Sequence, residues 1–219
     1  MIKIENTEVY GWEAAIRGAR NPMNSWDRSD SYWGLWEDES PINPNDELFF
    51  FVGENDLKLL KNLAKAGADH GKFMRMINVT LDINAPLYWL KEFDTYKVST
   101  VANSCSTMHK IHSKEFAMDD FSHEHLDPFS WDVLCDTIVC LNINREAFIK
   151  TKDKQFWWQM IQLLPSSYNQ RRTVQLNYAV LKAMYHARKH HKLDEWRTFC
   201  QWIESLPYSE LITGREDND

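Results

Sequence analysis

The spacing of hydrophobic residues predicts strands in the first half of the chain. Ile2 and Ile4 alternate with polar neighbours, which is the pattern of a short strand with one buried side. Residues 72–83 alternate in the same way, with Ile77 and Val79 on the apolar side. This second segment is therefore also predicted to be a strand.

Hydrophobic residues at helical spacing fill most of the remaining sequence. Residues 9–20 predict a helix that ends at Asn21-Pro22, and residues 55–66 predict another. In the second helix we expect Asn55 to cap the first turn and Gly67 to end the last one. Further helices are predicted over residues 86–93, 132–150, 153–164, 168–189 and 193–205. The sequence therefore predicts one α/β domain, residues 1–219, without an internal linker.

A long connection over residues 21–47 is rich in Asn, Asp, Ser and Pro and carries three tryptophans, Trp26, Trp33 and Trp36. Connections of this length are usually functional or disordered. The tryptophans indicate that this segment docks on the protein's own surface, or alternatively that it forms a lid or a subunit contact. The acidic tail after residue 213 is expected to be frayed.

Composition and charge exclude several classes of function. A net charge of −7 over 219 residues argues against a broad nucleic-acid-binding surface. No apolar run is long enough to cross a membrane, and no targeting or acylation motif opens the sequence, so we expect a cytoplasmic protein. His186 and His190 have metal-ligand spacing, but Arg188 and Lys189 lie between them, and we expect no metal site.

One predicted helix places polar side chains at both ends of an apolar stripe. Asn177, Leu181, Met184 and Arg188 would share one face of the helix over residues 168–189. Because a buried unpaired guanidinium is costly, Arg188 needs an acidic or phosphate partner, or a place at the edge of the core. The simplest alternative to a ligand is a salt bridge near the end of this helix.

The segment over residues 91–108 reads KEFDTYKVSTVANSCSTM. It resembles R-Q-x-x-R-H-R-x-x-S-x-N-E-x-S-x-R-Y, the signature of flavin-dependent thymidylate synthases. Lys91-Glu92 stands at the Arg-Gln position, and Thr95-Tyr96-Lys97 stands at Arg-His-Arg. Further along the signature lie Asn103 in the Asn-Glu region, Ser104 and Cys105 near the nucleotide-binding Ser, and Thr107 in place of Arg.

A second region is similar to the same family. Leu164-Pro165 leads through Arg171 and Arg172 into Asn177, and Arg188 follows at the family's spacing in N-x-R-x-x-x-N-x-x-x-x-R. The two positions between depart from the pattern, because Ala179 replaces an Arg and Ala183 replaces an Asn. The Arg that precedes Leu-Pro in the family is also absent.

The resemblance implies a twisted, mainly antiparallel sheet packed with helices (α+β), the fold of thymidylate-synthase-complementing proteins. It further implies a homotetramer that binds FAD and a dUMP-like uridine monophosphate, with reduced folate and NADPH as co-substrates. By the resemblance, the cofactor-binding residues are Tyr96, Lys97, Asn103, Asn177 and Arg188. The substrate-binding residues are Thr95, Ser104, Cys105, Arg171 and Arg188, and no catalytic residue is assigned.

The missing arginines leave three functions open. Each lost charged hydrogen bond removes about 1.5–3 kcal/mol of binding free energy. The chain is therefore interpreted as a divergent enzyme that transfers a one-carbon group to the pyrimidine. The alternatives are a non-catalytic nucleotide-binding protein on the same oligomeric scaffold, and a structural oligomer with an empty pocket.

Overall fold

The centre of the molecule is a four-stranded antiparallel sheet. The computed structural model of the chain describes residues 1–35 and 48–215. The sheet has the order β1-β4-β6-β5, formed by β1 (Lys3–Tyr10), β4 (Asn78–Pro86), β5 (Val101–Ser104) and β6 (Asn169–Asn177). A separate hairpin pairs β2 (Tyr32–Gly34) with β3 (Phe49–Phe51). The predicted α+β class with an antiparallel sheet is confirmed.

Helices surround this sheet. They are α1 (Trp12–Arg20), α2 (Glu54–Lys65), α3 (Leu87–Phe93), α4 (Thr107–Lys110), α5 (Pro128–Thr151), α6 (Lys154–Leu163), α7 (Tyr178–Arg188), α8 (Asp194–Glu204) and α9 (Glu210–Thr213). Short 3-10 turns lie at Asn21–Met23, Trp26–Arg28, Gly71–Arg75 and Met118–Asp120. None of the helices in the described residues combines the length and apolar character that crossing a membrane requires.

The main core lies between the sheet and the helices that carry large aromatic residues. On the central strand β4, the alternate side chains of Val79, Leu81 and Ile83 are fully buried, because this face of the strand belongs to the main core. From the helices, Trp89 and Trp196 are also fully buried, with ring centroids 4.8 Å apart. Full burial of an aliphatic side chain such as Val79, Leu81 or Ile83 stabilises the fold by about 1.5–3 kcal/mol.

The predicted strand over residues 72–83 is wrong in its first half. Residues Gly71–Arg75 form a 3-10 turn, and the strand begins at Asn78 and continues to Pro86. Phe73 is buried as expected, but it belongs to the turn that packs against α1 and α7. The alternating pattern therefore predicted the burial of Phe73 correctly, but it predicted a strand where the backbone forms a 3-10 turn.

The predicted helix over residues 168–189 is also wrong in its first half. Asn169–Asn177 is strand β6, which pairs with β4 on one side and β5 on the other, and the helix begins at Tyr178. The strand signal is the burial of Gln170, Val174 and Leu176 at even spacing. The central position of β6 supplies two strand partners, and these pairings determine its backbone conformation.

Two helix starts differ from prediction. The helix predicted over residues 9–20 begins at Trp12, because Val9 and Tyr10 belong to β1. Gly11 joins the two with φ 95°, and a Cβ there would lie 2.1 Å from the carbonyl oxygen of Met76. Only glycine fits this junction. In α2, Asn55 does not cap the helix; the carboxylate of Asp30 accepts hydrogen bonds from the backbone N–H groups of residues 55 and 56.

The first part of the tryptophan-rich connection docks on the protein's own surface. Arg20 and Asp56 form a buried ion pair of 2.6 Å beneath it, and Asp56 also accepts hydrogen bonds from the hydroxyls of Ser29 and Ser31 at 2.6 Å. Burial disfavours the charged carboxylate, but the hydrogen bonds from Ser29, Ser31 and Arg20 outweigh it and hold the pKa of Asp56 below its ordinary value. Trp36 and the acidic tail after Arg215 lie outside the described residues.

Candidate functional site

Arg188 lies at the last residue of α7, where two of the predicted ligand-binding residues meet. Its Nε donates a hydrogen bond of 3.0 Å to the hydroxyl of Tyr96, and its Nη1 lies 2.8 Å from a carboxylate oxygen of Glu92. The guanidinium also lies over the ring of Trp196, 4.9 Å from the centroid. The structure therefore brings Tyr96 and Arg188 together, although 92 positions separate them in sequence.

Glu92 organises this group and was not among the predicted site residues. The same carboxylate oxygen that receives Arg188 accepts a hydrogen bond of 3.0 Å from the indole of Trp196 and lies 3.4 Å from Nε2 of His191. Thr95 donates its hydroxyl to the backbone carbonyl of Glu92 at 2.7 Å. The sequence signal for Glu92 was the need of Arg188 for an acidic partner. Of the two arrangements expected for Arg188, a bound ligand or a salt bridge near the helix end, the structure shows the salt bridge.

The end of the signature segment lies on the edge strand β5. Asn103 and Ser104 face residues 173 and 172 of β6 across the ladder, and Cys105 donates its backbone N–H to the carbonyl of Arg171 at 2.9 Å. All three side chains are exposed, as is Lys97 in the turn before the strand. The antiparallel pairing therefore places Cys105 and Arg171, two predicted substrate-binding residues, side by side.

A cavity of about 290 Å³ adjoins this end of β5. Its lining includes Cys105, Arg171, Lys110 and Tyr168. Gln170 also lines it, and its side-chain amide donates a hydrogen bond of 2.8 Å to the carbonyl of Cys105. The volume is near the lower end of the range typical of small-molecule sites. Within the part of the chain that the structure describes, Lys110 has no carboxylate partner, although the carboxylates of Glu115 and Asp120 also line the cavity.

Each of the three arginines that the sequence offered for phosphate or base recognition is bound to a carboxylate. Besides the Arg188–Glu92 pair, Arg171 binds Asp82 at 2.8 Å, and Arg172 binds Asp94 at 2.6 Å. Hydrogen bonds from Thr173, Arg171 and Asn6 lower the pKa of Asp82 to about 2. This carboxylate is therefore ionised at neutral pH and compensates the charge of its arginine.

The Arg172–Asp94 pair connects the two groups of predicted residues. Asp94 directly follows α3, next to Thr95, and Arg172 lies opposite Ser104 on the sheet. The candidate site is therefore a surface that runs from the Arg188–Glu92 group along the end of α3 to the β5 edge and the 290 Å³ cavity.

Asn177 lies apart from these residues. It is the last residue of β6 and the N-cap of α7, and its side-chain oxygen accepts a hydrogen bond of 3.0 Å from the backbone N–H of Val180. Because α7 rises by 1.5 Å per residue, roughly 16 Å separates it from Arg188 at the opposite end. The expected shared helix face is correct for the buried Leu181 and Met184, but Asn177 precedes the helix.

No metal centre is present among residues 1–35 and 48–215: no three His, Cys, Asp or Glu side chains there are grouped to hold an ion.

Solved structures with the same fold span nearly the whole chain. Flavin-dependent thymidylate synthase ThyX from Helicobacter pylori, complexed with FAD and dUMP, is 13% identical with a TM-score of 0.67, over 96% of this chain and 97% of that one. A second structure of that enzyme with FAD and dUMP has a TM-score of 0.66 at 13% identity, over 97% of both chains.

A third similar structure is the UMP/dUMP methylase PolB from Streptomyces cacaoi bound with 5-Br dUMP. It is 14% identical with a TM-score of 0.60, over 98% of this chain and 95% of that one. No protein-family model matches the sequence, and no curated protein sequence matches it. The chain therefore has the fold of flavin-dependent thymidylate synthases, which the resemblance of its motifs implied.

Proposed function

We propose that this chain binds FAD and a uridine monophosphate and transfers a one-carbon group to the pyrimidine. The observation that carries the proposal is the likeness of fold over 96% of the chain to a structure complexed with FAD and dUMP. The contact between Tyr96 and Arg188, and that between Cys105 and Arg171, support it, because each joins two residues that the motifs nominated independently.

Some residues of the candidate site are suited to binding an anionic nucleotide. Lys97 and Lys110 have no carboxylate partner among the described residues and are available to phosphate groups. Flavin, when bound, would supply the hydride. The chain's own residues would then bind and orient: the Tyr96 hydroxyl and Lys97 toward the cofactor, and Ser104, Cys105 and Arg171 toward the nucleotide. Reduced folate would supply the carbon, and NADPH would reduce the flavin.

The proposed function includes assembly of the chain into an oligomer. The long helix α5 exposes Phe129 by 78%, Val139 by 58% and Ile143 by 63%. Large apolar side chains along one helix of this length are typical of a surface covered by another subunit. We propose a homotetramer in which α5 is a subunit contact. Its mass would be about 104 kDa, four times the 26.0 kDa of the chain.

A second candidate is a nucleotide-binding protein without redox chemistry. The specific observation in its favour is that Arg171, Arg172 and Arg188 are all neutralised by carboxylates. A guanidinium already paired gains less free energy from a phosphate, so the site suits a ligand that needs fewer cations than the family's signature provides.

Release of tritium from [5-³H]dUMP distinguishes these candidates, because bond formation at C5 displaces its hydrogen. The assay contains FAD, NADPH and methylene-tetrahydrofolate, with UMP and dUMP compared. We expect time-dependent release that stops when FAD is omitted. Calorimetric binding of dUMP without any release would favour the non-catalytic candidate, and no binding at all would refute both.

A further inference from the structure

A second cavity, of about 280 Å³, lies where the C-terminal ends of α2 and α9 meet the middle of α7. It shares no residue with the candidate site. Within the part of the chain that the structure describes, its lining includes four cations and one carboxylate: Lys61, Lys65, Lys182, Arg215 and Glu210. In a chain with a net charge of −7, this cavity concentrates positive charge against the general balance. Its lining therefore favours an anionic ligand.

Lys182 is a partly buried cation at this cavity. Its Nζ donates a hydrogen bond of 2.8 Å to the carbonyl of Ala64, and no carboxylate among residues 1–35 and 48–215 pairs with it. Because burial disfavours the charged ammonium, the pKa of Lys182 is lowered. An ammonium has three N–H donors, and the described protein atoms accept one of them.

The carboxylate in the lining is already engaged. Glu210 is 11% exposed and lies 3.1 Å from Nζ of Lys61, so this pair is neutral overall. Arg215 pairs with Glu204 at 2.9 Å, and Glu204 does not line the cavity. An ion pair whose arginine is 67% exposed contributes little to stability, so Arg215 can turn to a bound anion.

The ends of the helices explain part of this arrangement. The last carbonyls of α2 and α9 carry partial negative charge, which favours lysines near them. The hydrogen bond from Lys182 to Ala64 is an interaction of this kind, but it uses one of three donors. The other donors of a partly buried ammonium need acceptors, which water or an anion supplies. An anion also compensates the charge, which water does not.

We propose that this cationic cavity binds a small oxyanion of the phosphate type, held by Lys182 and Arg215. The oxygens of a phosphate group accept charge-assisted hydrogen bonds from both side chains. The volume lies just below the range of about 300–1,000 Å³ for drug-sized ligands, so the cavity suits an ion or a small phosphate ester better than a whole nucleotide. An anion bound there would link α2, α7 and the end of α9, and it would stabilise the folded state.

Phosphorus-31 NMR of inorganic phosphate and of glycerol 3-phosphate, each titrated with the full chain, tests this site. The probes share the phosphoryl group, and the tighter of the two identifies the ligand as a free ion or an ester. We expect saturable binding that Lys182→Met weakens at least about tenfold through loss of a charged hydrogen bond. Lys58→Met removes an exposed lysine of α2 outside the cavity and should leave the affinity unchanged. Phosphate should also raise the Tm of the wild type more than that of Lys182→Met.

Absence of saturable binding of both probes would overturn the proposal, as would affinities that Lys182→Met leaves unchanged. Lys110→Met separates this site from the candidate site: binding lost in Lys110→Met but kept in Lys182→Met would place the ion in the 290 Å³ cavity and overturn the proposal. Should Lys182→Met fail to fold, Arg215→Gln at an exposed position should weaken binding, and an unchanged affinity there would overturn the proposal equally. None of these measurements contains FAD or dUMP, so the proposed function can fail while this site stands, and the reverse.

Discussion

Replacing Asp56 by Ala should strongly destabilise the fold. The Asp56 side chain is fully buried and receives Arg20, itself only 5% exposed, at 2.6 Å. Arg20 also donates to the carbonyls of Ser25 and Arg28 at 3.1 and 2.9 Å, so the pair holds the connection after α1 against α2. Removing one partner of a buried ion pair costs about 3–5 kcal/mol, because the other charge stays buried without compensation.

Urea denaturation measures this loss. With a denaturant slope of about 2.5–3 kcal/mol per M, the Asp56→Ala midpoint should fall by about 1–2 M. The double variant Arg20→Met, Asp56→Leu removes both charges and should recover only part of the loss, because the hydroxyls of Ser29 and Ser31 lose their acceptor. A decrease below about 1 kcal/mol for Asp56→Ala would refute the reasoning, since it would mean that Arg20 finds water or another partner at no cost.

The pH dependence of the unfolding free energy tests the contribution of the Asp56 carboxylate in a second way. The folded state lowers the pKa of Asp56, so the carboxylate stabilises the fold fully above its unfolded pKa of about 3.9. This stabilisation is lost as pH falls from there through the lower folded value. The difference in unfolding free energy between wild type and Asp56→Ala should therefore be constant from pH 7 to about pH 5 and shrink below pH 4. A difference that grew on acidification would contradict the pKa direction.

Three further outcomes are expected. Arg188→Ala should weaken dUMP binding about tenfold or more with the fold retained, since a charged hydrogen bond contributes about 1.5–3 kcal/mol. Calorimetry measures this affinity, with the surface variant Arg197→Ala as the control. An affinity equal to that of the control would mean that Arg188 serves only in its pair with Glu92. Asn177→Ala should lower the unfolding free energy by about 0.5–2 kcal/mol through loss of the α7 cap, and an unchanged urea midpoint would contradict this. Ile143→Glu should lower the mass seen by light scattering below that of the tetramer, whereas an intact tetramer would place the subunit contact elsewhere.

The sequence predicted those elements whose hydrophobic period continues without interruption. Helices α5 and α6 were found within a few residues, because long apolar spacing of this kind determines helices strongly. Strand β6 was missed because its alternating residues run directly into the helical spacing of α7, and the longer pattern dominated the interpretation. Its conformation depends on pairing with β4 and β5, which a local pattern does not contain.

The sequence likewise predicted some members of the candidate site and missed others. Two separate motifs nominated Tyr96 and Arg188, and the structure places these residues in contact. Glu92 and Trp196 were missed as members of the site, because their role comes from the packing of α3 against α8 and leaves no spacing signal in either segment. The pairing of Arg171 with Asp82 likewise depends on the register between β4 and β6, in which Asp82 lies opposite Thr173, two residues along the strand.

Flavin binding by this chain can be read from the visible absorption spectrum of the purified protein. The protein is recorded as isolated and again after incubation with micromolar FAD and removal of unbound cofactor. We expect a retained flavin spectrum with a maximum that shifts when dUMP is added. A colourless protein that retains no FAD at micromolar concentration would contradict it.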